Sequence, residues 1–218
     1  MKLSRPRTLI LRCVVGCALI AVLVLSLPGV RHALLRAAGW ALVANDPAAH
    51  VDVIVIAVDN YGAGVLEAAD LVRAGIATRV AVFEDPPDRS DREFMKRGVP
   101  HYDAAELSVQ QLHGLGLTLV TVIRRSVAGT NDEAAVLPAW CIENAYRSVL
   151  VVTSADHSRR MRRVLQRAMR GSGTEVLVLS SRYSGFDPDA WWHDRLGVRT
   201  ELVESEKLLL DLLAHPLS

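Results

Sequence analysis

Thr153-Ser154-Ala155-Asp156-His157-Ser158-Arg159-Arg160 ends the apolar run Val149–Val152 with hydroxyls, a carboxylate, an imidazole and guanidinium groups. At a strand-to-helix junction Ser154 fits an N-cap, and the first backbone N–H groups beyond it lack helical partners and favour an anion. His157 then falls in the first turn, and Arg160, three residues on, shares its face. Such a set could hold a phosphate-like group and move a proton, with His157 as acid/base and Arg160 as charge stabiliser. The same letters also describe a capped helix with a solvated basic face, and spacing alone leaves both readings open. Of Arg159, Arg162 and Arg163, at least two are expected to face solvent or lipid headgroups.

A second constellation is Thr130-Asn131-Asp132-Glu133. Thr-x-x-Glu matches a reciprocal capping box. It could equally place Glu133 on a pocket floor as the carboxylate that orients His157 or Arg160. Asp59-Asn60 and Glu84-Asp85 each follow a β-branched or apolar run. The expected catalytic residues are therefore His157, Glu133 and Arg160. The expected ligand-binding residues are Asp59, Asn60, Glu84, Thr130, Thr153 and Ser154.

Several chemistries are poorly served. Gly62 and Gly64 are followed by Glu67 where a dinucleotide fingerprint needs a third glycine, so NAD or FAD is not expected. No Walker lysine loop and no Gly-x-Ser-x-Gly elbow occurs. His50, His101, His113 and His157 are scattered without metal-ligand spacing, so no metal is expected and the cofactor is left unassigned. A net charge of +1 and 5% aromatic residues give no support to a nucleic-acid partner. Trp191-Trp192-His193 reads as a lid or a packing patch.

These residues need strands and helices to position them. Runs of strand length cover Val51–Val58, Arg79–Phe83, Thr118–Ile123, Ser148–Thr153 and Glu175–Ser180. Their near-continuous apolar character suits strands buried on both faces of a parallel sheet. Helical patterns alternate with them over residues 64–74, 91–97, 104–113, 132–146 and 156–170, and 204–213 closes the chain. The alternation predicts an α/β fold: a Rossmann-like, doubly wound, mainly parallel five-stranded sheet with its ligand at the strand C-termini. Cys141 is the one cysteine of this region, so the domain has no internal disulfide.

Ahead of it, Thr8–Val30 has the length and apolarity of a membrane span, with Lys2, Arg5, Arg7 and Arg12 before its apolar core. The positive-inside rule predicts residues 1–30 to be a cytoplasmic N-terminus and transmembrane anchor. A cleaved signal peptide shares this pattern, but Arg31 and His32 stand where small residues should precede a cut. Residues 31–47 read as an amphipathic connector with Leu34, Leu35, Ala38 and Leu42 on one face, and Asn45-Asp46-Pro47 as a turn. Residues 48–218 would form the extracytoplasmic domain.

In order along the chain, Asp52-Val53-Ile54-Val55-Ile56, Gly98-Val99-Pro100, Thr130-x-x-Glu133-Ala134, Thr153-Ser154-x-x-His157-x-x-Arg160 and a Trp-Trp before Glu204-x-x-Lys207 resemble the SanA/ElyC/YdcF-like proteins of bacterial envelopes. The resemblance implies a pocket built by Thr130, Glu133, Thr153, Ser154, His157 and Arg160. It also implies a role in envelope integrity or cell-wall polymer metabolism, at a phosphorylated or lipid-linked intermediate. A non-catalytic sensing or scaffolding module is the alternative. Two loops depart from the family pattern. Val58-Asp59-Asn60-Tyr61 replaces a glycine-rich turn, and Phe83-Glu84-Asp85 replaces Ser-Gly-Gly. Carboxylates there would repel a phosphate unless a cation intervened.

Overall fold

The apolar runs become five strands: β1 (Val53–Ile56), β2 (Val80–Phe83), β3 (Val120–Ile123), β4 (Ser148–Thr153) and β5 (Glu175–Ser180). They were assigned on a computed structural model that describes residues 26–47, 49–125 and 130–216. The expected membrane span Thr8–Val30 lies outside the described residues except for its last five. Among the described residues no helix is long and apolar enough to cross a membrane.

All strand pairs are parallel, in the order β3-β2-β1-β4-β5. With helices on both faces, this is a Rossmann-like α/β fold. Alternation along each strand sorts side chains to opposite faces. Val53 and Val55 of β1, with Val149 and Val151 of β4, pack under α5 (Thr130–Glu143) and α6 (Ser158–Ala168) through Leu137, Met161 and Leu165. Ile54 and Ile56, with Leu150 and Val152, pack under α2 (Tyr61–Arg73) and α4 (Ala104–Gly114) through Val65, Ala68 and Leu112. Each such fully buried aliphatic side chain contributes about 1.5–3 kcal/mol. Burial on both faces holds for β1 and β2. It fails at the edge strand β3, which pairs only with β2, and there Thr121 and Val122 are exposed. Between β2 and α4, α3 (Arg89–Lys96) buries none of its residues.

Helix α1 (Pro28–Leu42) docks on the domain. Its buried face differs from the expected stripe: Leu34 is exposed, and Leu35, Ala38, Gly39 and Leu42 face inward. The reason is a close approach at Gly39, where a methyl would strike the carbonyl of Pro188 and come within 2.8 Å of Trp191 Cδ1. Leu42 and Val43 join Phe186, Trp191 and Leu208 in a third apolar cluster, and Trp191 Nε1 donates to the Leu35 carbonyl at 2.8 Å. The packing reading of Trp191 therefore holds.

The expected turn at Asn45-Asp46 is instead an extended cover for the β5 edge. Asp46 N–H donates to Val178 O at 2.8 Å, Val178 N–H to Asp46 Oδ2 at 3.0 Å, and Ser180 N–H to Asn45 Oδ1 at 2.7 Å. Strand amides that would otherwise be open to another chain are thus occupied. The last helix, α7 (Arg195–Ala214), starts nine residues before the apolar run that announces it, capped by Asp194 on the Gly197 N–H at 2.8 Å.

Helix propensity alone says that Gly39→Ala should stabilise α1 by about 1 kcal/mol. The packing against Pro188 reverses the sign, so a lowered melting temperature is expected in thermal denaturation of the full chain. An unchanged or raised value would show that α1 does not dock as described.

Candidate functional site

Strand order reverses between β1 and β4, which makes their C-terminal ends the switch point where open α/β sheets bind ligands. A cavity of about 810 Å³ opens there. One side is built from Asp59 and Asn60 after β1, Ser154 and His157 after β4, Thr130 at the start of α5, and Arg160 on α6. The other side comes from the segment after β5 and from α7, including Phe186, Trp191, Glu204 and Lys207. In the sequence this second wall shows only as the Trp191-Trp192 pair and the Glu204-x-x-Lys207 spacing, far down the chain from the strand ends.

The centre of the site is Glu204. Its Oε2 lies 3.2 Å from His157 Nδ1 and accepts from Arg160 Nε at 3.2 Å and Nη2 at 3.1 Å. Its Oε1 accepts from Lys207 Nζ at 2.6 Å. Burial alone would raise the pKa of Glu204; the hydrogen bonds of His157 and Lys207 and the Arg160 charge outweigh it and hold the carboxyl down at about 2. Glu204 is thus an anion that organises an imidazole and two cations.

His157, the N-cap residue of α6, is buried. Its Nε2 lies 3.1 Å from Thr130 Oγ1, and its Nδ1 also lies 2.7 Å from Arg160 Nη2. Arg160 Nη1 reaches Thr130 Oγ1 at 3.4 Å. Two proton arrangements fit. In one, Nδ1–H donates to Glu204 and Nε2 accepts from the Thr130 hydroxyl. In the other, Nδ1 accepts from Arg160 and Nε2–H donates to Thr130. The expected convergence of His157 and Arg160 is present, with Thr130 between them.

The carboxylate that joins them is not the expected one. Glu133 does not line the cavity. It sits one turn into α5, against the turn Val58–Asn60, and its Oε1 accepts from Val58 N–H at 3.0 Å with Arg125 Nη1 3.9 Å away. Nor do Thr130 and Glu133 form a reciprocal capping box, since each side chain turns to another element. Burial raises Glu133, helped by the nearby Asp59 charge and opposed by the Val58 N–H and by Arg125, to a pKa of about 7.

Thr153 and Ser154 depart from expectation too. Helix α6 starts at Ser158, so Ser154 is not its N-cap. Thr153 is fully buried and does not reach the cavity; its Oγ1 donates to Asp59 at 2.9 Å. Ser154 donates to Asp59 Oδ2 through Oγ at 2.6 Å and through N–H at 3.2 Å. Donors expected to meet a phosphate therefore already hold an internal carboxylate. Asn60 is buried at the cavity, and its Nδ2 has no hydrogen-bond partner among the described residues.

Glu84 lies off the cavity, because β2 is on the far side of β1 from β4. Its carbonyl accepts from Arg125 Nε at 2.7 Å. The neighbouring Asp85 binds the Tyr61 hydroxyl at 2.9 Å and Arg125 Nη2 at 3.2 Å, which secures the β2 loop to the β3 end. The missed residues Glu204 and Lys207 had one trace in the sequence, an acid and a base three apart on a helix. Among the described residues no group of three His, Cys, Asp or Glu side chains is placed to hold a metal.

The arginine row of α6 is not a solvated face. Arg159 donates to the carbonyls of Ala41 and, at 2.6 Å, of Val43 beyond the end of α1. Arg162 pairs with Asp46 at 2.8 Å, and Arg163 with Asp211 at 2.7 Å. No protein-family model matches the chain, and no curated protein matches it.

Glu133 makes a signed pH prediction. Its folded pKa of about 7 lies above the ordinary 4.5, so the unfolded chain loses this proton first. Its contribution to stability is complete below about pH 4.5 and falls as pH rises towards about 7. That difference corresponds to a loss on the order of 3 kcal/mol. Glu133→Gln, which keeps an acceptor for Val58 N–H, should flatten this part of the stability–pH curve measured by denaturant unfolding. A curve unchanged by the substitution would place the proton elsewhere.

Proposed function

We propose that this chain is a membrane-anchored envelope protein of the SanA/ElyC/YdcF-like type. Its Rossmann-like domain binds a small polar, phosphorylated ligand at the strand C-terminal edge and acts on it by hydrolysis or group transfer. The observation that carries the reading is one cluster: His157, Arg160, Lys207 and Thr130 gathered around Glu204 on the wall of an 810 Å³ cavity at the sheet's switch point. A cavity of this size suits a small molecule.

Arg160 and Lys207 offer the positive charge for an anionic group. Asp59, Asp156 and Asp194 on the cavity wall offer acceptors for hydroxyl groups. Burial holds the Asp156 carboxyl above its usual range, with the charges of Asp59 and Glu204 adding to the shift and a hydrogen bond from Ser154 opposing it. A ligand with an anionic end and a hydroxyl-rich body, such as a phosphorylated sugar, satisfies both halves. His157 would serve as acid/base, Arg160 as charge stabiliser, and Glu204 in the orienting role expected of Glu133. The apolar run before α1 supports the membrane tether, and the basic residues ahead of it support an extracytoplasmic domain.

One observation favours the non-catalytic alternative: Glu204 already pairs both cations, and Asp59 already fills the donors after β4. Turnover of sugar phosphates separates the two. Under the enzymatic reading, Arg160→Ala should weaken phosphate binding at least tenfold in calorimetry, and His157→Gln should cut turnover at least 100-fold while binding persists. Saturable binding without turnover in the unaltered protein would favour the sensing module, and no binding at all would refute the ligand class.

A further inference from the structure

Resting on the reading just given, we infer that Thr130 is the covalent nucleophile of this site, the end of a hydroxyl–imidazole–carboxylate relay through His157 to Glu204. The relay needs three contacts in series, and all are present. Thr130 Oγ1 is 3.1 Å from His157 Nε2, His157 Nδ1 is 3.2 Å from Glu204 Oε2, and Lys207 holds the other Glu204 oxygen at 2.6 Å. Three different elements supply the members: α5, the start of α6, and α7. Thr130, His157 and Glu204 all border the cavity.

Two groups compete for Nδ1, Arg160 Nη2 at 2.7 Å and Glu204 Oε2 at 3.2 Å, and the relay uses the arrangement in which Nδ1–H donates to the carboxylate and Arg160 turns its proton to the same oxygen. A bare Nδ1 facing a carboxylate at 3.2 Å would set two lone pairs against each other, whereas Nδ1–H donates to it. Arg160 then directs its Nη2 proton to Glu204 Oε2 at 3.1 Å. Nε2 is left as an acceptor towards the Thr130 hydroxyl, the geometry in which an imidazole activates a weak nucleophile. Arg160 Nη1, 3.4 Å from Thr130 Oγ1, sits where charge develops on the attacked group.

The step balances with water as the second reactant. Thr130 Oγ1 forms a bond to phosphorus as the bond to the leaving oxygen breaks. The hydroxyl proton passes to His157 Nε2 and on to the leaving oxygen. Water then attacks phosphorus and gives its proton to Nε2. The Thr130 O–P bond breaks, and Oγ1 recovers the proton. No oxidant, reductant or metal enters.

A fluorophosphonate probe tests the assignment, because attack by Oγ1 expels fluoride and leaves a stable adduct. With the full chain, mass spectrometry should find the adduct on Thr130 in the unaltered protein and in Thr130→Ser. Labelling should fall at least 100-fold in Thr130→Ala and in His157→Gln, which keeps a hydrogen-bonding group but cannot take the proton. Inorganic phosphate binding by the unaltered protein is measured in parallel. Labelling absent from Thr130, or undiminished in Thr130→Ala, overturns the inference. If phosphate still binds in that case, the ligand reading stands without it. A Thr130 adduct in a protein that does not bind phosphate upholds the nucleophile and removes the phosphorylated ligand.

Discussion

The rest of the site depends on one buried carboxylate. Glu204 is 8% exposed, yet it stays ionised because His157, Arg160 and Lys207 surround it. A buried charge without partners would cost several kcal/mol, and removing any partner leaves the remainder uncompensated. The group is therefore held together by its own electrostatics. It fixes α7 against α6, and through His157 it sets the distance to Thr130 at the head of α5. Apolar packing through Leu137, Met161 and Leu208 seats the three helices, and the charges around Glu204 set how their polar side chains meet.

The same logic runs along α6. Its arginines leave the helix for partners on three elements: Arg159 for the carbonyls at the end of α1, Arg162 for Asp46 on the β5 edge, and Arg163 and Arg167 together for Asp211 of α7. Guanidinium geometry suits these forked contacts better than an ammonium would. The helix that looks most like a membrane-surface contact in the sequence is the internal brace of the domain. Its opposite face, with Met161, Val164 and Leu165, lies on the sheet. Both faces are thus engaged, one by apolar burial and one by ion pairs.

Asp59 gives physical sense to the two acidic loops. After β1 it supplies a carboxylate to the hydroxyls of Thr153 and Ser154, the place where a glycine-rich turn would leave room for a ligand's anion. After β2, Asp85 does comparable work for Tyr61 and Arg125. Both carboxylates tie the strand ends to neighbouring elements, and the cations left facing the cavity are Arg160 and Lys207. Glu133, beneath the first loop, holds its proton because it is buried, and one backbone donor and a distant guanidinium offset that only in part.

The sequence by itself determined the five strands, their alternation with helices, and hence the parallel sheet and the edge at which residues gather. Near-continuous apolar, β-branched runs carry that information locally, since burial on both faces leaves few other solutions for such segments. It also pointed to His157 and Arg160 as neighbours; the structure keeps them together with His157 as the N-cap, one position before the helix, and not in its first turn. Tertiary structure decided the partners. Nothing local distinguishes Glu133, which follows Thr130 by one turn, from Glu204, which is 47 positions from His157; only the fold brings the second within 3.2 Å and seats the first against Val58. Likewise, Ser154 fits a helix cap by its type, but it binds Asp59, 95 residues away, and His157 stands at the N-cap. Hydrogen bonds and ion pairs act over a few ångströms and are indifferent to sequence distance, so the frame could be read from letters and the chemistry had to wait for the packing.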